Sequence, residues 1–196
     1  MDSIIDKIYE FDHSILLFIQ ENMRNSALTP VMDISSKLVN IGILWVAISL
    51  IMLCFKKTRL LGTMTLSSLL LCLIINNVII KHAVARARPF DTYSDLYPLI
   101  KKPTDYSFAS GHTTASFAAA GVFVRFFPKP IAVLTVVYAF MVAFSRLYLG
   151  VHYPTDVLCG IAIGIIGSTI IYYIYSKKFD LEDYKTNTLR FAKKGE

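Results

Sequence analysis

The sequence predicts an all-α, polytopic membrane helix bundle: five transmembrane helices preceded by an N-terminal amphipathic helix. Three observations carry this expectation. Hydrophobic residues fill 55% of the 196 positions and charged residues only 17%, against about a quarter charged in an ordinary soluble domain. The apolar residues gather in runs close to the ~20 residues that cross a bilayer. The charges, formally +6 in sum, stand at the ends of those runs, which sets nucleic acid aside and makes the phospholipid bilayer the expected partner. The same apolar content excludes a disordered chain. The chain reads as a single domain over 1–196, with an interfacial region over 1–37 and a tail over 177–196.

The elements follow in order. Ile4, Ile8, Phe11, Ile15 and Phe18 recur at helical spacing, while Asp2, Asp6, Lys7, Glu10 and Glu21 fall elsewhere, the pattern of a helix lying in the membrane interface. No basic start, apolar block and small-residue cleavage site of a signal peptide is visible. A sixth span over Ser14–Val31 is the alternative, at the cost of carrying Glu21, Asn22, Arg24 and Asn25 through hydrocarbon. The expected spans are Leu38–Phe55, Leu60–Ile80, Tyr106–Val124, Pro130–Ser145 and Val157–Ser176. Lipid offers free backbone groups no partners, so each should be helical. The fourth can continue through Arg146 to Leu149. Gly160, Gly164 and Gly167 place small residues on the last span, where helices can approach closely. Cys54, Cys72 and Cys159 lie inside the runs without metal-ligand spacing and read as small buried hydrophobes.

Orientation follows from the bases. Lys56, Lys57 and Arg59 fill one short connection, Arg125 and Lys129 the next on that side, and Lys177, Lys178, Lys185, Arg190, Lys193 and Lys194 the tail. That side should be cytoplasmic. Before the first span the acids Asp2, Asp6, Glu10, Asp12, Glu21 and Asp33 outnumber Lys7, Arg24 and Lys37, which suits the outer face. The Ile- and Lys-rich composition suggests a bacterium, and hence a plasma membrane.

Function is sought where these placement rules fail. The connection after the second span should face outward, yet it opens with Lys81, His82, Arg86 and Arg88. The third span carries His112 near its start, the fourth ends at Ser145 and Arg146, and the fifth is preceded by His152 and opens at Asp156. All of these fall on one face. If the helix continues, Lys81 and Arg88 are nearly two turns apart on one side, until Pro89 ends it. Such a pair suits a phosphate, with snorkelling to headgroups as the alternative. Arg86 falls off that face. Ser110, Gly111 and His112 stand where a loop becomes a helix, either an anion site of free N–H groups or a simple N-cap. His152 and Asp156 share a face if their turn is helical. The carboxylate would then fix the imidazole tautomer and leave the other ring nitrogen a better nucleophile, or the two form a capping pair. Two histidines, an acid and the cations Lys81, Arg88 and Arg146 converging at one mouth point to phosphoryl chemistry, where positioning and electrostatics dominate. No second carboxylate is placed to hold a divalent metal, and cations surround any zinc ligands, so neither metal nor cofactor is expected.

These residues resemble the type 2 phosphatidic acid phosphatase superfamily of membrane lipid phosphatases. Its first motif, Lys, six residues, Arg-Pro, is matched by KHAVARARP over Lys81–Pro89. Its second, Pro-Ser-Gly-His, is matched by ASGH over Ala109–His112, with alanine for proline. Its third, Ser-Arg, five residues, His, three residues, Asp, is matched by SRLYLGVHYPTD over Ser145–Asp156. The resemblance implies that Lys81, Arg88, Arg146 and the N–H groups near Ser110 and Gly111 bind phosphate, that His152 is the nucleophile oriented by Asp156, and that His112 is the acid toward the leaving oxygen. It implies a phosphohistidine intermediate and no metal. Ala109 supplies no lost catalytic group; it should loosen the loop. The chain also resembles small bacterial undecaprenyl diphosphate phosphatases, with phosphatidylglycerophosphate and phosphatidic acid phosphatases as alternatives. The aromatic segment Phe90–Phe108, with Lys101 and Lys102 as contacts for a second phosphate or as surface groups, bears on that choice. A non-catalytic lipid-binding or transport protein, or a lipid phosphotransferase, remains the reading from another class.

Overall fold

The computed structural model describes residues 3–189. Asp2 and the tail bases Arg190, Lys193 and Lys194, which enter the orientation expected above, lie outside the described residues.

Helix α1 runs Ile4–Asn22 behind a reciprocal cap: Ser3 Oγ accepts from the Asp6 N–H, and Asp6 accepts from the Ser3 N–H. Ile4, Ile8, Phe11 and Phe18 face away from the bundle, exposed, while Asp12, Leu16 and Ile19 are buried against it. The amphipathic helix is therefore present, but the side it packs with carries an acid. The helix stops at Asn22 because Asn25 Oδ1 accepts from the N–H groups of Ala27 and Leu28 and starts α2, Leu28–Leu38. Ser14–Val31 is thus two helices. Arg24 and Asn25 fasten the turn to the end of a later helix at Tyr148.

After a single 3-10 turn, Asn40–Gly42, the chain bends by 50° into α3, Ile43–Cys54. Cys54 is exposed, unlike the small buried residue expected there. Helix α4, Arg59–Leu73, continues through a π-helical stretch, Ile74–Ile80, into the short α5, Lys81–Val84. Ala85 is left-handed, with φ 47°, and the helix ends there. It does not carry on to Arg88. That residue is extended, as a following proline demands, and Pro89 opens α6, Pro89–Thr92, at the position where a ring costs least.

Helix α7, Gly111–Phe126, is the innermost, with Thr113, Ser116, Phe117, Ala118, Ala119 and Val122 all buried. It starts five residues later than the expected span, because Tyr106–Ser110 is not helical. Helices α8, Lys129–Tyr148, and α9, Pro154–Ser176, complete the bundle. A methyl group on Gly164 would lie 2.7 Å from both the Thr114 carbonyl and the Phe117 Cβ, so only glycine lets α9 lie this close to α7. The tail folds back as α10, Leu181–Asp183, and a π turn, Tyr184–Leu189, and Tyr184 Oη donates to the Lys57 carbonyl.

All described elements are helical, as expected of the fold. Three stretches are long and apolar enough to cross a membrane: Arg59–Thr92, Lys129–Tyr148 and Pro154–Ser176. The bent pair α2 and α3 makes a fourth if counted as one span. Helix α7, with 16 residues, rises about 24 Å, short of the ~30 Å hydrocarbon layer; its neighbours shield it instead.

Candidate active site

Three interruptions of helix geometry meet at one end of the bundle: the break Ala85–Arg88, the loop from Tyr93 to Ser110, and the turn between α8 and α9. The loop is fastened to the other two. Ser107 N–H donates to the Arg86 carbonyl at 2.9 Å, Leu99 N–H to the Leu149 carbonyl at 3.0 Å and Ser110 N–H to the Asp156 carbonyl at 3.1 Å. Inside the bilayer-facing stretch, Asn76 donates to the Ala109 carbonyl at 3.2 Å and to Asn77 Oδ1 at 2.8 Å. The asparagines of that span thus hold the loop. The turn at the end of α8 needs Gly150, whose φ is +72° and against which Arg24 and the Tyr97 carbonyl press.

His152 precedes the first turn of α9 and is buried. Its Nδ1 stands 3.4 Å from Asp156 Oδ2, and its Nε2 stands 3.4 Å from Arg88 Nη1. The same Asp156 oxygen accepts from Ser107 Oγ at 2.5 Å and from the Tyr153 N–H at 2.9 Å. Asp156 therefore both caps α9 and faces the imidazole. Burial first, then Arg88 and Arg146, push the His152 pKa down to about 3 against the opposing pull of Asp156. The imidazole is thus neutral, with a lone pair available on the nitrogen facing Arg88.

Lys81, Arg88, Arg146, Gly111, His112 and His152 line one cavity of about 730 Å³. Val46 of α3 and Leu66, Leu69, Leu70 and Leu73 of α4 give the same cavity an apolar lining. Cations of this kind can hold a phosphoryl group, and an apolar lining of this kind suits a hydrocarbon chain. Arg88 is anchored by Nη1 to the Val151 carbonyl at 2.6 Å, and Arg146 donates to Ser36 Oγ of α2. Lys101 also lines the cavity, whereas Lys102 lies 5.0 Å over the Phe90 ring. Phe90 and Leu96 of the aromatic loop turn inward, while Tyr97 and Tyr106 stay exposed.

One residue expected at the phosphate, Ser110, stands behind the cavity wall, while Asp156 sits behind His152, on the side from which it was expected to orient the imidazole. Ser110 is wholly buried, its hydroxyl accepts from Thr113 at 2.9 Å, and its N–H is spent on the Asp156 carbonyl. Asp156 reaches the cavity only through His152. Others were not foreseen. Arg86, set aside as lying off the helical face, bridges Asp12 at 2.7 Å and Asp156 at 2.8 Å, with the Tyr153 ring 3.7 Å from its guanidinium carbon. Asp12 further accepts from the Thr155 N–H at 3.0 Å and Thr155 Oγ1 at 2.5 Å. Asp105 pairs with both Lys81 and Arg88. The one available signal was the end of the helix before Arg86, which removes the wheel that excluded it. Each carboxylate here already answers a cation, and among the described residues no three His, Cys, Asp or Glu side chains are grouped as metal ligands.

The model of the PAP2 superfamily matches residues 56–180. Among curated relatives, an undecaprenyl-diphosphatase of Sulfolobus acidocaldarius is 35% identical over 120 residues, covering 61% of this chain and 58% of its own. A lipid A 4'-phosphatase of Porphyromonas gingivalis is 31% identical over 178 residues, 81% of this chain and 75% of that one. The chain thus spans little more than half the length of the first and three quarters of the second. Among solved structures, a transmembrane PAP2-type phosphatidylglycerolphosphate phosphatase from Bacillus subtilis superposes with TM-score 0.74 at 27% identity, over 89% of each chain. Asp12 and Ser36 lie ahead of the family-matched region.

Proposed function

The chain belongs to the PAP2 superfamily, and we propose on that premise that it is a membrane lipid phosphatase that works without a metal ion. The observation that carries this reading is His152, held with Nδ1 3.4 Å from Asp156 and Nε2 3.4 Å from Arg88 in a cavity also lined by Lys81, Arg146, His112 and several leucines. In the first step Nε2 attacks phosphorus and the bond to the lipid oxygen breaks, while His112 gives that oxygen a proton. In the second, water loses a proton to His112 and displaces the imidazole, releasing inorganic phosphate. Asp156 stabilises the imidazolium through Nδ1. Lys81, Arg88, Arg146 and the Gly111 N–H hold the equatorial oxygens, and Ser110 holds the loop in place.

Undecaprenyl diphosphate, cleaved to the monophosphate and phosphate, is the substrate we favour, in keeping with the activity named for the Sulfolobus relative. Phosphatidylglycerophosphate is the second reading, favoured by a likeness to the Bacillus subtilis structure that runs over nine tenths of both chains. The mouth faces outward from the plasma membrane. Support comes from topology: the α3–α4 connection with Lys56 and Lys57, the α7–α8 connection flanked by Arg125 and Lys129, and the described part of the tail through Leu189 lie at the opposite end of the bundle.

Purified protein in detergent with EDTA should release phosphate from these lipids, and His152→Ala should lower turnover by at least about a thousandfold. Full turnover by that variant would remove the nucleophile assignment. Phosphate recovered on an acceptor lipid, and not free in solution, would make the enzyme a phosphotransferase. Binding of the lipids without release of phosphate by the wild type would make it a carrier.

A further inference from the structure

Asp105 sits where the substrate phosphate should bind. Its carboxylate bridges Lys81 and Arg88, with Oδ1 accepting from Arg88 Nη2 at 2.6 Å. The side chains of Lys81 and Arg88 are 8% and 4% exposed, that of Asp105 55%. The acid is the member of the trio with room to leave. Its departure would not unfasten the loop, because Arg88 Nε donates to the Asp105 backbone carbonyl at 2.8 Å and Ser107 N–H to the Arg86 carbonyl at 2.9 Å. Partial burial opposes its ionisation, but Lys81 and Arg88 outweigh that and hold the carboxyl well below the usual range. It is charged at any working pH.

We propose that Asp105 is a specificity-determining residue: a built-in competitor for Lys81 and Arg88 that a doubly charged terminal phosphate displaces and a singly charged phosphodiester does not. The proposal rests on the reading of Lys81 and Arg88 as the phosphate cradle. A tethered carboxylate acts at high effective concentration. A phosphodiester brings the same single charge and two free oxygens, and must also give up its free movement to bind. A terminal phosphate carries about −1.5 to −2 and three acceptor oxygens, so its attraction to Lys81, Arg88 and Arg146 in a buried site is the greater. Membrane lipids are overwhelmingly phosphodiesters. Without an internal acid, the cradle would be held by headgroups that cannot react. Discrimination by a repulsive or competing element, at some expense in affinity for the right ligand, is a general route to specificity.

Asp105→Asn keeps the shape of the side chain and removes its charge. In the full-length protein in mixed micelles, inhibition by inorganic phosphate and by phosphatidylglycerol is measured during hydrolysis of a phosphomonoester lipid, and phosphate binding is measured directly by calorimetry. The variant should bind phosphate about tenfold more tightly, as expected when the fraction of molecules with free cations rises from about a tenth toward one. It should also become sensitive to phosphatidylglycerol at mole fractions that leave the wild type unaffected. Asp105→Glu, which keeps the charge, should retain the wild-type insensitivity. Unchanged or weaker phosphate binding in Asp105→Asn, or equal indifference to phosphatidylglycerol in the two proteins, would overturn the proposal. If the wild type released no phosphate, calorimetry with and without phosphatidylglycerol in the micelle would separate the two readings. Tighter phosphate binding in the variant, competed by phosphatidylglycerol in the variant alone, would mean that hydrolysis failed as a reading and the role of Asp105 held; any other result would overturn that role.

Discussion

Arg86 shows how a single side chain can be invisible to local spacing and central to a site. Its partners Asp12 and Asp156 lie 74 and 70 residues away in sequence, and no periodicity links them. The convergence of Lys81, Arg88, Arg146, His112 and His152 on one cavity was legible because basic groups recur at one end of the apolar runs; Asp12, Asp105 and Arg86 were not, because pairing across the fold defines them. Removing one partner of a buried ion pair typically costs about 3–5 kcal/mol. Asp12→Ala should therefore lower the thermal midpoint in detergent and, by letting Arg86 drag on Asp156, lower kcat more than it raises KM. Arg86→Lys offers a compact charge where a planar fork spans two acids; kcat should fall by roughly a hundredfold, the penalty of a displaced catalytic group. His152 makes a pH prediction. Its folded pKa is about 3 against about 6.5 unfolded. Between those values the unfolded chain holds a proton the folded chain lacks, so stability falls as pH falls through that window, by up to about 1.4 kcal/mol per unit. Asp105, held below its usual pKa, contributes stability that is lost only at still lower pH. Melting curves from pH 7 to pH 4 should show the loss in the wild type and a flatter course in His152→Asn.

Among the helices, α8 and α9 follow the expected spans to within a few residues, because continuous apolar runs leave a bilayer segment little choice. The departures fall where backbone geometry, and not hydropathy, decides. Helix α5 stops at Ala85, α6 begins at Pro89, and α7 begins only at Gly111, after a loop pinned by Asn76 and by backbone bonds to two distant turns. The glycine stripe on the last span was legible as small residues; Gly160 and Gly164 meet the first half of α7, whereas Gly167 meets Cys72 of α4. Helices α7 and α9 carry His112 and Asp156 at their first turns, so their separation fixes the site. Gly164→Val should force them apart, since even a bare methyl would sit 2.7 Å from backbone and side chain of α7. Loss of both thermal stability and kcat is expected, whereas Ile166→Val on the exposed side of α9 should change neither.

Taken whole, the molecule joins a polar mouth to an apolar trough, and the two ends of its cavity should respond separately to substitution. Leu66→Trp, in the trough wall, should raise KM for a long-chain lipid phosphate several-fold and leave a short, water-soluble phosphomonoester unaffected; equal effects on both would mean that the chain lies elsewhere. The leading helices are as much a part of this arrangement as the bundle. Asp12 of α1 and Ser36 of α2 are the partners of Arg86 and Arg146, yet both precede the stretch common to the superfamily, 56–180. A chimera that transplanted only the shared stretch into another scaffold would leave Arg86 with Asp156 but without Asp12, and would leave Arg146 without the Ser36 hydroxyl, both beside the reacting centre. Functional grafts will have to bring the upstream helices with them, or supply a hydroxyl and a carboxylate of their own.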